Sequence, residues 1–235
     1  MDIFKKFKKA NVYYDIDNKY ESYNQEKYLP KGFFNNVKVY ENQKKLGCPA
    51  VFHLNKRIHC IYPSLSIDIE IFKNEKTNEY EYKFIYKKGP SNKYLIDALQ
   101  GMINVNNIDG VINLQMGLPY VFYTDSKDTE LLTMPPDIYT ENVQFVTGAF
   151  NINKWIRALN LAYVLKDNSK KGIIKIDVKK PMMYLVFNKN VDISYKQFNN
   201  KTKNYYFQIK SITAYRNNLK SYYKDIISRR PKKFK

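Results

Sequence analysis

Four side chains in this chain can bind a soft metal or serve as nucleophile and base, and all fall within 13 positions: Cys48, His53, His59 and Cys60. Cysteine and histidine are the usual ligands of tetrahedral zinc. The spacing argues against that use. A strand would put His59 and Cys60 on opposite faces, and the segment has neither a Cys-x-x-Cys nor a His-x-x-x-His pair. The residues are read as buried thiols and hydrogen-bonded imidazoles on strands, with no metal ligand assigned. Two cysteines suit a reducing compartment, and whether Cys48 and Cys60 pair is left to geometry.

Nucleophilic catalysis needs a base beside an activated serine or cysteine, and neither histidine sits in such a motif. Carboxylates gather in the stretch 124–142, as Asp125, Asp128, Glu130, Asp137 and Glu141. Acid–base work depends on their separation in space, which sequence proximity does not give. With eight glycines the chain has no phosphate-binding loop and no dinucleotide fingerprint. No catalytic residue and no cofactor is assigned, and the chain is read as a non-enzyme. A pocket formed by the acidic stretch and Trp155 is the enzymatic alternative.

Charge is the strongest compositional signal, at a formal +18 over 235 residues. Lysine outnumbers arginine 35 to 5, beside 26 Asn and 22 Tyr, and AT-rich codons alone favour that set. The distribution is more telling than the total. Residues 1–88 carry 17 basic and 11 acidic groups, residues 89–165 carry 4 and 7, and residues 166–235 carry 19 and 4. The nets are +6, −3 and +15. Lysines in the last third interleave with aromatics, as in Tyr195 to Phe198 and Lys201 to Phe207, a pattern shared by nucleic-acid stacking surfaces and by tyrosine-rich strands with a solvated face.

The elements that must position these groups are mostly strands. Ser66 to Phe72 puts Ile67, Ile69 and Ile71 on one face; Glu79 to Tyr86 does the same with Tyr80, Tyr82, Phe84 and Tyr86, and a polar loop joins them. Period-2 alternation of this kind predicts an antiparallel hairpin. Further strands are predicted at 37–41, 50–54, 58–62, 111–115, 119–124, 143–150, 158–165, 172–178, 182–187, 190–195 and 203–210. Tyr94 to Met102 reads as a short helix, and Thr124 to Asn142 as a long acidic loop. The fold class expected is mainly β, an antiparallel β-sandwich or jelly-roll-like domain with a short internal helix and a C-terminal helix.

That last helix is expected from about Ser211 to Ser228. Ile212, Tyr215, Leu219, Tyr222 and Ile226 form an apolar stripe, with Arg216, Lys220 and Lys224 aligned on another side. The stripe packs on the protein's own sheet or on another subunit. A basic tail, Arg229-Arg230-Pro231-Lys232-Lys233-Phe234-Lys235, follows. One β-rich domain over 1–210 and a helix with its tail over 211–235 are the expected organisation.

Phe145 to Arg157 contains the single tryptophan, Trp155, with Arg157 two positions on. Taken with Cys48-Pro49, Pro135-Pro136 and Pro181 to Phe187, the chain over residues 48–187 resembles a loosely defined family of uncharacterised proteins of large contractile-tailed bacteriophages. It departs from that pattern at Ala158, where the family has proline, and at Lys179-Lys180-Pro181, where it has a Gly-acidic-Pro turn. The resemblance implies an AT-rich phage origin and lends no activity. Trp155 and Arg157 are its motif residues, with a packed aromatic anchor as the plainer reading.

The expectation is a phage virion or assembly component, placed in the virion or host cytoplasm and not secreted, since the amino terminus has no signal-peptide hydrophobic region and no apolar run approaches a membrane span. Its partners would be other virion proteins or itself. Arg216, Lys220, Lys224, Arg229, Arg230, Lys232 and Lys233 are the candidate contacts. Nucleic acid, bound by the 196–235 region, is the alternative partner.

Overall fold

The computed structural model describes residues 10–16, 37–39, 57–63, 66–85, 100–136, 138–154, 156, 158–166 and 169–214. They form three sheets and one helix. Sheet A holds β1 (Ala10–Ile16), β6 (Ile103–Ile108), β7 (Val111–Tyr123), β10 (Val143–Phe145), β12 (Ala158–Leu165) and β15 (Val191–Tyr195). Sheet B holds β2 (Val37–Val39), β3 (Ile58–Ile61), β8 (Glu130–Met134), β11 (Gly148–Asn151) and β14 (Met183–Phe187). Sheet C holds β4 (Ile67–Lys73), β5 (Tyr80–Ile85), β9 (Tyr139–Glu141) and β13 (Lys171–Ile176), and the helix α1 spans Asn200–Ala214. All the pairings are antiparallel except that of β1 with β15.

Prolines explain why sheets B and C are separate. The order β8-β14-β3 in sheet B matches the order β9-β13-β4 in sheet C, and each strand of one runs on into its counterpart in the other. The three crossings contain Pro63, Pro135-Pro136 and Pro181. Proline has no N–H for the ladder, so it ends strand pairing at that point. Met182 still donates its N–H to Ile61 O at 2.8 Å, which carries the β14–β3 ladder up to the crossing. Sheets B and C thus make one interrupted layer facing sheet A, a β-sandwich arrangement.

Alternation sets what fills the space between. On β12 the pattern is strict, with Leu159, Leu161, Tyr163 and Leu165 buried and the intervening residues half-buried. Ile67, Ile69 and Ile71 from β4, Leu114 to Phe122 from β7 at every second position, and Met183, Leu185 and Phe187 from β14 join them in one core. Each such fully buried aliphatic or aromatic side chain contributes about 1.5–3 kcal/mol. Gly172 on β13 of sheet C lies close against Val143 and Leu165 of sheet A. A Cβ there would lie 2.4 Å from Val143 Cγ1 and 2.7 Å from Leu165 Cδ1, so only glycine fits without displacement.

The predicted hairpin over 66–86 forms as β4 and β5, with Ile69 opposite Phe84 and Ile71 opposite Tyr82. The strand predicted at 158–165 has the same bounds in β12, while 111–115 and 119–124 merge into the 13 residues of β7. The stretch 143–150 is split between β10 in sheet A and β11 in sheet B. Two expectations need correction. The strand expected at 203–210 is part of α1. Asn199 Oδ1 accepts hydrogen bonds from Thr202 N at 2.8 Å and Thr202 Oγ1 at 3.0 Å, a helix N-cap, and Thr202, Tyr205 and Tyr206 are buried at helical spacing. The acidic loop of 124–142 contains β8 and β9, because Leu131 and Thr133 turn into the interior. The strand predicted at 50–54 and most of the helix predicted at 94–102 lie outside the described residues.

Candidate functional site

Sheet A has a second face, and it differs from the rest of the surface. The outward positions of β6 and β7 are fixed by a two-residue turn, Asp109-Gly110, with φ of 52° and 84°. That turn sets Ile108 opposite Val111, Asn106 opposite Asn113 and Asn104 opposite Gln115. The rows continue across β12 and β10: Asn113 faces Val164, which faces Gln144, and Gln115 faces Ala162. Gly117 faces Asn160. Six amide side chains therefore share this face, and the outward positions of these four strands carry no charge.

A cleft of about 660 Å³ opens along it. Gln115, Ala158, Asn160 and Ala162 form the floor, and β11 with the turn that follows forms a wall carrying Phe150, Asn151 and Lys154. The wall is held firmly. Asn151 Oδ1 accepts from the backbone N–H groups of Asn153 and Lys154 at 3.0 and 3.2 Å, and buried Asn153 donates through Nδ2 to Thr124 O at 3.0 Å. Thr133 Oγ1 accepts from Gly148 N at 2.9 Å and lies 3.2 Å from Gly148 O. Glu130 and Lys154 bring one charge of each sign; Lys154 pairs with Asp128 only at 3.9 Å across solvent.

Helix α1 covers the other end of the same face. Val121 and Tyr123, outward on β7, are buried under Phe198, Tyr205 and Tyr206 together with Ile156. The Tyr205 hydroxyl donates to Lys154 O at 2.9 Å, so the helix also braces the wall of the cleft. The Lys196 ammonium lies 4.7 Å from the centre of the Tyr13 ring. Phe207 stands 44% exposed, one turn along the helix from Lys203.

The structure scatters the residues singled out for chemistry. His59 and Cys60 are adjacent on β3, both buried. Burial lowers the His59 pKa to about 4, with the nearby Asp192 charge opposing, and its Nε2 has no hydrogen-bond partner among the described residues. The Cys60 thiol is free and pushed up to about 12 by burial. Such a thiol stays protonated at neutral pH and is a poor nucleophile. Glu130 and Glu141 lie on different sheets, B and C, so the fold does not bring these carboxylates together on one strand pair. Among the described residues no three His, Cys, Asp or Glu side chains are grouped to hold a metal, and no helix is long and apolar enough to cross a membrane.

Cys48, His53, Asp137, Trp155, Arg157, Arg216, Lys220, Lys224, Arg229, Arg230, Lys232 and Lys233 lie outside the described residues. Trp155 and Arg157 fall in the chain between Lys154 and Ala158, which both line the cleft. Sequence reading missed the amide face, though the Asp-Gly turn gives its register directly. Comparison with protein-family models, curated proteins and solved structures returned no match.

Proposed function

We propose that the protein is a non-enzymatic assembly component that docks through its basic carboxyl-terminal region onto an acidic surface of another subunit or of a second copy of itself. The observation that carries this reading is the rooting of that region. Residues 193–235 hold twelve basic side chains and one acidic, and the helix within this run is seated on sheet A by Tyr205 and Tyr206. Basic side chains on a helix held in place, such as Lys201 and Lys203, lose less freedom on docking than those of a free chain do. Residues 89–165, with 4 basic and 7 acidic groups, carry the opposite net sign, which suits head-to-tail contacts. The resemblance to proteins of contractile-tailed phages supports placing the role in a virion.

Sedimentation of the full chain across protein and salt concentration, with mass spectrometry of purified particles, tests the proposal. Self-association that weakens as salt rises, or retention in particles, is the expected result. A chain that stays monomeric at high concentration and low salt and is missing from particles refutes it.

The exposed Phe207 beside Lys203 favours a second reading, in which the same region binds nucleic acid by stacking and charge. Affinity would then fall steeply with salt, and deleting Arg229 to Lys235 would flatten the dependence by about 0.9 for each duplex phosphate no longer neutralised. A flat salt response eliminates that reading.

A further inference from the structure

We propose that the cleft over β12, together with the amide rows that continue from its floor, binds a neutral, hydroxyl-rich ligand: a saccharide. The first argument is chemical selection. In a chain of 26% charged residues and net charge +18, the outward positions of β6, β7, β12 and β10 carry Asn104, Asn106, Gln115, Gln144 and Asn160, with Asn113 buried between them, and no charge. Gln115 and Asn160 line the cleft itself, and Ile108 and Val111 stand exposed at the far end of the rows. An amide offers an acceptor and two donors side by side, which matches sugar hydroxyls that both donate and accept. A nucleic acid needs cations along its track, and a protein interface core draws on aromatic and apolar residues. The floor has no cation and no aromatic side chain, and its apolar members, Ala158 and Ala162, are small.

Shape agrees with this. Ala158 and Ala162 keep the floor low, and Phe150 in the wall supplies an apolar surface for the C–H face of a sugar ring. The volume of about 660 Å³ lies within the range of small-molecule sites, roughly 300–1,000 Å³. Pre-organisation completes the case. The floor belongs to β7 and β12, paired with each other along the middle of sheet A, and the wall turn is fixed by Asn151, Asn153 and the Tyr205 hydroxyl. Little ordering remains to be done when a ligand arrives. The charges of Glu130 and Lys154 cancel, so the cleft has no net preference for an ion.

Titration calorimetry of the full chain with a panel of neutral hexasaccharides, drawn from α-glucan, β-glucan, chitin and mannan, tests this. At least one should bind with Kd between about 1 mM and 1 µM, and its affinity should hold as salt is raised. Ala162→Phe, which fills the floor, and Gln115→Leu, which removes an amide, should each weaken binding about tenfold or more. Thermal melts confirm that both variants fold. Three results overturn the proposal: no heat from any member of the panel at millimolar concentration, binding unchanged in both variants, or binding that collapses with salt. The last would place the ligand on the basic region, so failure here is distinguishable from failure of the assembly role.

Discussion

His59 gives the sharpest test of how the core of this protein is built. It lies on β3, 5% exposed, edge-on to the Phe187 ring at 5.7 Å, and its Nε2 has no partner among the described residues. Burial disfavours the imidazolium, taking the pKa from 6.5 down to about 4. In the unfolded chain the side chain takes up a proton near pH 6.5, while in the folded state it does so only near 4. The unfolded state therefore binds more protons across that window, and stability rises with pH through it. The contribution is complete above pH 6.5, is lost as pH falls from 6.5 towards 4, and levels off below. The difference corresponds to about 3 kcal/mol. Urea unfolding at fixed pH steps from 7.5 to 4, for the wild type and for His59→Leu, measures it. The variant has nothing to titrate at this position, so the wild type should lose about 3 kcal/mol more than it does. Carboxylates titrate in both proteins and cancel in the difference. Parallel stability curves, agreeing within about 0.5 kcal/mol, would refute the argument.

Two further outcomes follow from the sheet packing. Gly172→Ala should destabilise the protein by about 1–3 kcal/mol in urea unfolding, because the new methyl group collides with Val143 and Leu165 where two sheets meet; an unchanged midpoint would mean that the packing there is loose. Glu70, buried on the outer side of sheet C, feels desolvation that raises its pKa, but hydrogen bonds from Lys83 at 2.9 Å and Lys171 at 3.0 Å outweigh it and hold the pKa below its usual 4.5. Its contribution is present above the unfolded value and lost as pH falls through the lowered one. Since both lysines are more than half exposed, Glu70→Gln should cost only about 1 kcal/mol at pH 7, and the cost should vanish in acid; a loss equal at pH 7 and pH 3 would contradict the ion-pair account.

Local alternation is readable wherever one face of a strand enters the core. Ile67, Ile69 and Ile71 against Tyr80, Tyr82 and Phe84 specify a hairpin and its register by pattern alone. The strand expected at 203–210 fails for a physical reason. Lys201, Lys203, Tyr205 and Phe207 alternate as a strand would, yet Asn199 caps a helix and the residues that become buried, Thr202, Tyr205 and Tyr206, recur at helical spacing. In this segment capping and tertiary burial override period-2 patterning. Strands β8 and β9 are hidden in the sequence because β8 turns Leu131 and Thr133 inward but Leu132 and Met134 outward, which erases the alternation, and all three residues of β9 are exposed. Pairing of β1 with β15, 181 positions apart at Ala10 and Val191, leaves no local trace at all.

The candidate site is less legible than the fold, for a reason that bears on how its chemistry works. Titratable groups stand out in the sequence, but the fold buries His59 and Cys60 back to back on one strand and spreads Glu130 and Glu141 over separate sheets. What the fold assembles instead is made of residues that announce nothing singly. Asn104 and Gln115 are ordinary polar residues until the Asp109-Gly110 turn sets them side by side, and Ala162 matters only because it keeps that row open to solvent. The net charge is similarly uninformative as a total. It becomes physical where α1 is seated over Val121 and Tyr123, since that packing fixes where the acid-poor run begins and, through Tyr205 and Lys154, ties its root to the wall of the cleft. A partner pulling on the basic region would load the Tyr205–Lys154 and Tyr123–Lys196 hydrogen bonds and the aromatic cluster behind them. The two proposed surfaces are thus independent in chemistry and joined in mechanics.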